Sequence, residues 1–427
     1  MKKIISAFLA LATVLTFAAG VLPASKTSPD IAVTAYAAES KTLETQMLPY
    51  HYSKLSETGK SVYLQLRKAA LNHEKSFTYK KALDQELVSN LADIIFYEDA
   101  LAFNVKGVSY VIYSGSNKTE FDLSYSFNQE SADKMMKKMD AVAEKVISKF
   151  DEDTSTYSKI LYIHDYIVNN TVYDDSLNSA HSAYGSMIVG KSVCEGYARA
   201  FGYICSKAGI KTVNVVGTAT ADDGHTENHM WNRVYLKKKW YDIDLTWDDP
   251  VMPYVENKSY KYFLPGSATF ARSHKPCNTS LSYPTATDDT SMNYYTKKKL
   301  VADDNASAYS LLVSQIAKAA KKGHSSATIK LADSSSFSSF KYYLEKDDDS
   351  KLFDLLSDAN KKTSVSIVTD RFYGYVADSN TLTVTVYFMM KNTTLSDYFV
   401  DTSSVSAENI QFFKAAGITN SKSKKAA

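Results

Sequence analysis

The stretch VCEGYARAFGYICSKAG, residues 193–209, places a cysteine at the head of an amphipathic helix. Positions 194, 197, 201, 204, 205 and 208 share one face at 3.6 residues per turn, and Gly209 is a typical helix stop. Cys194 therefore begins the buried face, where free backbone N–H groups and the positive end of the helix dipole favour a thiolate. A buried cysteine without chemistry is the alternative interpretation, and the mid-helix Cys205 is interpreted as core.

Cysteines are few in this chain of 427 residues: they are Cys194, Cys205 and Cys277. An odd number cannot form a complete disulfide framework, and the absence of a C-x-x-C spacing argues against a structural zinc site. At least one thiol is therefore unpaired in the monomer.

A nucleophilic thiol needs a base, and the base needs an acceptor that orients it. Two segments downstream of the cysteine alternate between polar and apolar residues: HMWNRVYL at 229–236 and WYDIDLTW at 240–247. The lysines between them predict a turn, so the two segments together predict a β-hairpin.

The register of this hairpin decides whether His229 and Asp244 meet. A two-residue turn at 237–238 pairs Trp231 with Asp244 and places His229 diagonally from that carboxylate on the same face. A four-residue turn places His229 directly opposite it, whereas a three-residue turn separates the two side chains. Cys194, His229 and Asp244 are thus predicted to form a catalytic triad.

The three tryptophans of the chain, Trp231, Trp240 and Trp247, all lie in the predicted hairpin. Aromatic rings around charged groups lower the local dielectric constant and strengthen a Cys–His ion pair. Trp231 and Trp247 are predicted to contribute to substrate binding, together with Tyr184.

Metal binding is the alternative interpretation of His225 and His229, which are four residues apart. That spacing presents two ligands together only on a helix, whereas Gly224 and the following alternation predict a loop that enters a strand. His164 is interpreted as a hydrogen-bonded core histidine. The acidic run at 347–350 is interpreted as a solvated turn because it lacks the glycine and ligand spacing of a calcium loop.

The first 37 residues predict a signal peptide, with a basic start, an apolar run over 4–22 and an A-x-A site at 35–37. An uncleaved membrane anchor is the alternative, because the apolar run is nearly long enough to span a bilayer. We expect a protein that is secreted or held at the cell surface.

The length exceeds what one hydrophobic core serves and predicts several domains. Helix, strand, helix and hairpin patterns occur in this order on both sides of a central region, as in a diverged internal repeat. A methionine stripe in the central region, at 135, 136 and 139, is interpreted as core. The predicted organisation after the signal peptide is an N-terminal α+β region (38–130), a catalytic core (131–278), a linker (279–300), a C-terminal α+β domain (301–400) and a polar, basic tail (401–427).

Charge excludes some classes of partner. Removing the signal peptide takes three lysines and one aspartate from 49 basic and 47 acidic residues, so the two signs balance. A balanced chain lacks the basic footprint that nucleic acid binding requires. We expect a protein or peptide substrate, which includes cell-wall peptide, with no nucleic acid, no cofactor, and membrane contact only through an uncleaved signal segment.

Three blocks in this order, VCEGYARAF, HMWNRV and WYDIDLTWDDP, resemble the transglutaminase-like superfamily, particularly its exported bacterial members. The resemblance covers about residues 150–275. It implies an α+β fold with a papain-like core, in which the nucleophile helix packs on an antiparallel sheet, flanked by small α+β domains. It also implies Cys194 as nucleophile, His229 as general base and acid, and Asp244 as the residue that orients the imidazole.

The implied chemistry is that of a cysteine-dependent peptidase or acyltransferase. The thiolate attacks a peptide or carboxamide carbonyl to form a thioester, and we expect hydrolysis of that thioester over transamidation. The backbone N–H of Cys194 is one candidate donor to the oxyanion, and Tyr184 is the second.

Two other readings remain open. An NlpC/P60-type cell-wall endopeptidase also uses cysteine and then histidine, although the DLTW block after the histidine strand argues against it. A surface binding module with a vestigial triad would use the 31 tyrosines of the chain as amphipathic contact area.

Overall fold

The computed structural model describes residues 47–221, 224–249, 259–277, 280–346, 350–367, 369 and 373–390. The predicted signal peptide, the predicted tail at 401–427 and most of the acidic run at 347–350 lie outside these residues. Within the described ranges, every helix is too short or too polar to cross a bilayer.

An N-terminal α+β unit precedes the cysteine helix, with the order helix, strand, helix, hairpin that its sequence predicts. Ser56 begins the first helix by accepting the N–H of Gly59 at 3.1 Å, as N-capping serines do. The antiparallel sheet has the order β1-β3-β2. The elements are α1 (Glu57–Leu71), β1 (Ser76–Tyr79), α2 (Gln85–Asp93), β2 (Val105–Tyr113) and β3 (Lys118–Tyr125).

The central region packs helices against an antiparallel sheet. Its elements are α3 (Gln129–Ile147), α4 (Thr156–Asn170), β4 (Val172–Tyr173), β5 (Lys191–Ser192), α5 (Cys194–Lys207), β6 (Thr212–Thr220), β7 (Thr226–Leu236), β8 (Lys239–Ile243), α6 (Leu245–Asp248), α7 (Ser267–Phe270) and β9 (His274–Pro276). The four-stranded sheet has the order β8-β7-β6-β9. The expected α+β, papain-like arrangement of a nucleophile helix on an antiparallel sheet is confirmed.

Helix α5 begins at Cys194 because the chain before it is extended and tightly packed. Val193 has extended backbone angles, and the Ser192 hydroxyl donates to the carbonyl of Ala180 at 2.6 Å. Gly196 allows this close approach, since a Cβ there would lie 1.8 Å from Ser192 Oγ and 2.6 Å from the Ala180 oxygen. Gly209, with φ of +71°, follows the helix as predicted.

We expect Gly196→Ala to lower the free energy of unfolding by about 1–3 kcal/mol or more, because there is no space for the added methyl group. Gly115→Ala is the matched control, since a Cβ at Gly115 meets nothing within 4 Å. Chemical denaturation of both variants measures the difference, and equal stabilities would contradict the packing argument.

The hairpin has the two-residue turn that brings His229 and Asp244 to one face. Leu236 pairs with Lys239, and Asn232 pairs with Ile243. Both turn lysines, 237 and 238, have positive φ, of 48° and 63°, as the hairpin turn that matches strand twist requires.

The second strand is shorter than predicted. It ends at Ile243, and the residues from Leu245 form helix α6 instead of continuing the alternation to Trp247. The cause is Asp244, whose Oδ1 accepts the backbone N–H of Thr246 at 2.9 Å and of Trp247 at 3.3 Å. Such a cap begins a helix, so Asp244 orients an imidazole and starts α6 at once.

His164, on α4, holds the other end of α6. The ring is fully buried, with Nε2 at 3.2 Å from Asp248 Oδ2 and Nδ1 at 3.1 Å from Asp165 Oδ1. Burial alone lowers the pKa of His164, but the hydrogen bonds and charges of the two carboxylates outweigh burial and raise it. His164 is therefore the hydrogen-bonded core histidine that the sequence predicts.

We expect His164→Leu to lower the free energy of unfolding by about 3–5 kcal/mol, because it leaves the buried Asp248 carboxylate without its partner. Asn169→Ala, an exposed change on the same helix, is the control and should have a much smaller effect. Thermal and denaturant unfolding measure both, and a near-neutral His164→Leu would show that the pair contributes little.

A C-terminal α+β unit follows. Its elements are α8 (Tyr294–Lys297), β10 (Val301–Ala302), α9 (Asn305–Lys321), β11 (Ser326–Leu331), α10 (Ser334–Glu345), α11 (Ser350–Asn360), β12 (Gly374–Asp378) and β13 (Thr383–Tyr387). The sheet order β10-β11-β13-β12 repeats the N-terminal pattern, in which the first antiparallel strand lies beside the second strand of the hairpin. Within the segment predicted as a linker, Leu281, Met292 and Tyr295 are buried. The domain boundaries themselves stay predictions.

Candidate active site

Three chain segments bring Cys194, His229 and Asp244 together. Cys194 is half-buried at the start of α5, His229 lies on β7, and Asp244 follows β8. His229 Nε2 lies 2.7 Å from Asp244 Oδ2, and the Cys194 thiol lies close enough to the His229 ring to affect its pKa. Because Nε2 faces the carboxylate, Nδ1 is the atom available to the sulfur.

The electrostatics favour a His229 imidazolium beside an Asp244 carboxylate. Burial alone lowers the pKa of His229, but the negative charges of Asp244 and Cys194, with their hydrogen bonds, raise it well above its ordinary value. Burial alone raises the pKa of Asp244, but the His229 charge and the hydrogen bonds from His229 and His274 hold it well below its usual range. The charged forms of His229 and Asp244 are therefore both favoured in this buried setting.

His274 is a fourth member of the cluster that sequence reasoning missed. Its Nε2 lies 3.0 Å from Asp244 Oδ2, the same oxygen that meets His229, and its ring is 2% exposed. It sits on the three-residue strand β9, outside the motif blocks. The signal that the sequence offers for His274 is its residue type, since the chain has only eight histidines.

His229, Asp244 and His274 also form the one described group whose spacing could suit a metal ion. Two ligand atoms around a tetrahedral ion at ordinary bond lengths lie about 3.3 Å apart. The nitrogen-to-oxygen distances of 2.7 and 3.0 Å are shorter and fit hydrogen bonds. His225 is exposed at the entry to β7, and four residues along a strand span about 13 Å, so it does not join His229 at one site.

The three tryptophans of the predicted hairpin lie in different surroundings. Trp231 is 1% exposed, donates its indole N–H to Asp242 at 3.1 Å and lies 5.3 Å from the ring of His274. This burial does not support substrate contact by Trp231. Trp247 is half-buried, 5.7 Å from His229, and stays a predicted substrate residue. Trp240 is away from the triad, where it packs on Tyr50 and Tyr235.

The two tyrosines considered as oxyanion donors lie in different surroundings. Tyr184 is half-buried and packs against the central hydrophobic core, so its predicted role toward the oxyanion stays a prediction. Tyr173 pairs with Ser192 between β4 and β5, two residues before Cys194, and is 43% exposed. The protein atoms around its hydroxyl raise the pKa of Tyr173, and the charges of Cys194 and Glu227 act in the same direction.

A separate cavity of about 530 Å³ lies between the N-terminal segment and the C-terminal end of α5. Tyr50, Lys54, Glu98, Lys211 and Trp240 are among the residues that line it, and the triad residues are not among them. The cavity therefore belongs to another part of the molecule than the cysteine site.

Comparison with known proteins places this cluster in a class. Residues 140–245 match the family model described as the transglutaminase-like superfamily, so the predicted resemblance is confirmed for this part of the chain. The match covers about a quarter of the chain.

Individual relatives are similar to a part of the chain. The kyphoscoliosis peptidases of Mus musculus and Homo sapiens are 33% and 32% identical over 101 residues, which are 21% of this chain. The chain spans only 15% of the length of these relatives. A solved structure described as a TGase is 19% identical, with a TM-score of 0.23, and the likeness covers 40% of this chain and 50% of that one.

We expect iodoacetamide at pH 6 to label Cys194 roughly tenfold or more faster than Cys277, because a thiolate paired with an imidazolium persists at a pH where ordinary thiols are protonated. Cys277 is exposed, and partial burial raises the pKa of its thiol, so its labelling should fall as the pH falls. Cys205 is buried and should label least. Mass spectrometry of the three peptides measures the rates, and equal rates for Cys194 and Cys277 at pH 6 would contradict an activated thiolate.

Proposed function

We propose that this protein is a cysteine-dependent enzyme of the transglutaminase-like type that acts on peptide or carboxamide bonds through a thioester on Cys194. The observation that carries the proposal is the buried His229 imidazole, which is hydrogen-bonded to Asp244 and lies close to the cysteine at a helix start. This is the arrangement that nucleophilic catalysis requires, with a nucleophile, a base and a residue that orients the base.

The proposed reaction forms a thioester and then hydrolyses it. The Cys194 sulfur attacks the carbonyl carbon, and its electron pair forms the C–S bond while the carbonyl oxygen becomes an oxyanion. The proton on His229 Nδ1 passes to the leaving nitrogen as the C–N bond breaks, which releases an amine or ammonia and leaves a thioester. His229 then removes a proton from water, the resulting hydroxide attacks the thioester, and the acid and the thiolate are released.

The oxyanion needs donors that are already in place. The backbone N–H of Cys194 is one, because it is at the first position of α5 and has no helical acceptor. We propose the Tyr173 hydroxyl as a further candidate beside Tyr184, since Tyr173 lies on the strand paired with the approach to Cys194. A donor at either position would act on the charge that develops in the transition state.

Hydrolysis is the proposed fate of the thioester, with transamidation as the alternative. The superfamily includes cysteine peptidases and acyltransferases, and the relatives over 101 residues carry the word peptidase in their names. The signal pattern in the first 37 residues supports a place outside the cytoplasm, where cell-wall peptides are among the available substrates.

We expect the protein to release peptides from casein, and Cys194→Ala to lower that rate at least about a thousandfold because the nucleophile is lost. Cys277→Ala is the matched control and should keep the wild-type rate. A biotinylated primary amine is present in the same assay, and the products are separated by mass spectrometry.

Each other result of these assays favours a different function. Incorporation of the amine without proteolysis, lost in Cys194→Ala, would replace hydrolysis by transamidation. Release of stem peptides from purified peptidoglycan would favour the cell-wall endopeptidase. Unchanged turnover in Cys194→Ala would refute the cysteine mechanism, and the absence of every product would favour the binding module.

A further inference from the structure

We infer that His274 is a positioning residue for the cysteine chemistry, because it holds Asp244 in place by donating its Nε2–H to the oxygen that also receives His229. The inference rests on the proposed function of the triad and adds a residue outside the cysteine, histidine and aspartate set. It explains why a second imidazole is buried against a carboxylate that already has a partner.

The hydrogen bonds define the tautomer of His274. A carboxylate offers only acceptors, so Nε2, at 3.0 Å from Asp244 Oδ2, must carry a proton. Nδ1 then accepts from the Ser273 hydroxyl, whose oxygen lies 2.8 Å away. The ring is thereby oriented at both nitrogens, as a supporting imidazole must be.

Burial favours the neutral form of His274. Burial lowers the pKa of His274, the positive charge of His229 lowers it further, and the negative charges of Asp244 and Asp242 act in the opposite direction. A neutral donor stabilises the Asp244 carboxylate without placing a second cation beside the His229 imidazolium. A lysine or arginine at this position would compete with His229 for the negative charge.

The sheet is built to allow this contact. His274 enters from β9 at one edge, and β6 separates it from β7, which carries His229. The β6 residues in register with the two histidines are small: Gly217 pairs with His229, and Ala219 pairs with His274. A Cβ on Gly217 would lie 2.6 Å from the Trp231 ring, so the glycine lets the aromatic layer close over the strand.

Aromatic rings close the space around this imidazole. The rings of Phe270, Trp247 and Tyr262 lie 4.1, 4.6 and 5.2 Å from the His274 ring. Little room is left for water to replace a lost donor, and a buried carboxylate without donors is costly. Loss of the His274 hydrogen bond removes one of the contributions that hold the pKa of Asp244 low, so the pKa of Asp244 rises and its carboxylate stabilises the His229 imidazolium less.

The test is the rate at which iodoacetamide alkylates Cys194 in the full-length protein between pH 5 and pH 9, since this readout needs no substrate. We expect His274→Phe to move the acid limb of this profile, the pH range over which the rate falls, about one pH unit upward and to leave the rate at pH 9 unchanged. His274→Gln, whose amide can donate to Asp244, should restore the rate at pH 6 to within about threefold of wild type. Phe270→Leu keeps the hydrogen bond, loosens the aromatic packing, and should retain the wild-type profile.

Each result supports or overturns the positioning role of His274. A wild-type profile in His274→Phe would overturn the inference, and an equal loss at every pH, or the same loss in Phe270→Leu, would assign His274 to packing alone. Circular dichroism checks that each variant folds. If His274→Phe does not fold, Ser273→Ala is measured instead and must shift the acid limb in the same direction. An unchanged acid limb in Ser273→Ala would overturn the inference. Failure of the proposed function is a separate result, in which wild-type Cys194 labels no faster than Cys277 at pH 6.

Discussion

The arrangement of the central region depends on the buried carboxylate of Asp244. Asp244 is 1% exposed and accepts four hydrogen bonds, two backbone N–H groups on Oδ1 and two imidazoles on Oδ2. A buried charge is tolerated only when it is fully hydrogen-bonded and paired, so the end of β8, the start of α6 and the two histidines constrain one another. The same contacts that stabilise the carboxylate also orient His229 toward the thiol.

A second carboxylate–imidazole pair gives this site a rigid support. Asp248, at the end of α6, meets His164 from α4, and its other oxygen accepts the backbone N–H of Tyr262 at 3.0 Å. The short helix α6 is thus held at both ends by buried aspartates. A four-residue helix has little stability of its own, so these contacts determine its position and, with it, the position of Asp244.

Local patterns allowed the triad to be predicted from particular residues. The cysteine begins a helix whose apolar face is evident over 194–208, and the lysine turn leaves two registers that bring His229 to Asp244. The structure has the two-residue turn, with the positive φ angles at 237 and 238 that this turn requires. The end of β8 was less predictable, because alternating residues over 240–247 fit a strand until the Asp244 side chain accepts the N–H groups of a new helix.

What the sequence by itself determined is local: the helix that starts at Cys194, the hairpin that carries His229 and Asp244, and the methionine stripe of α3 all follow from periodicity, turn chemistry and capping within a few residues. What only the tertiary structure decided is non-local. His274 reaches Asp244 because a three-residue edge strand pairs with β6, more than fifty positions earlier in the chain, and Trp240 lies apart from the triad because the hairpin carries it to the far end. The physical reason is that strand pairing and aromatic packing depend on which distant segments approach each other in the folded chain, and no pattern within either segment specifies its partner.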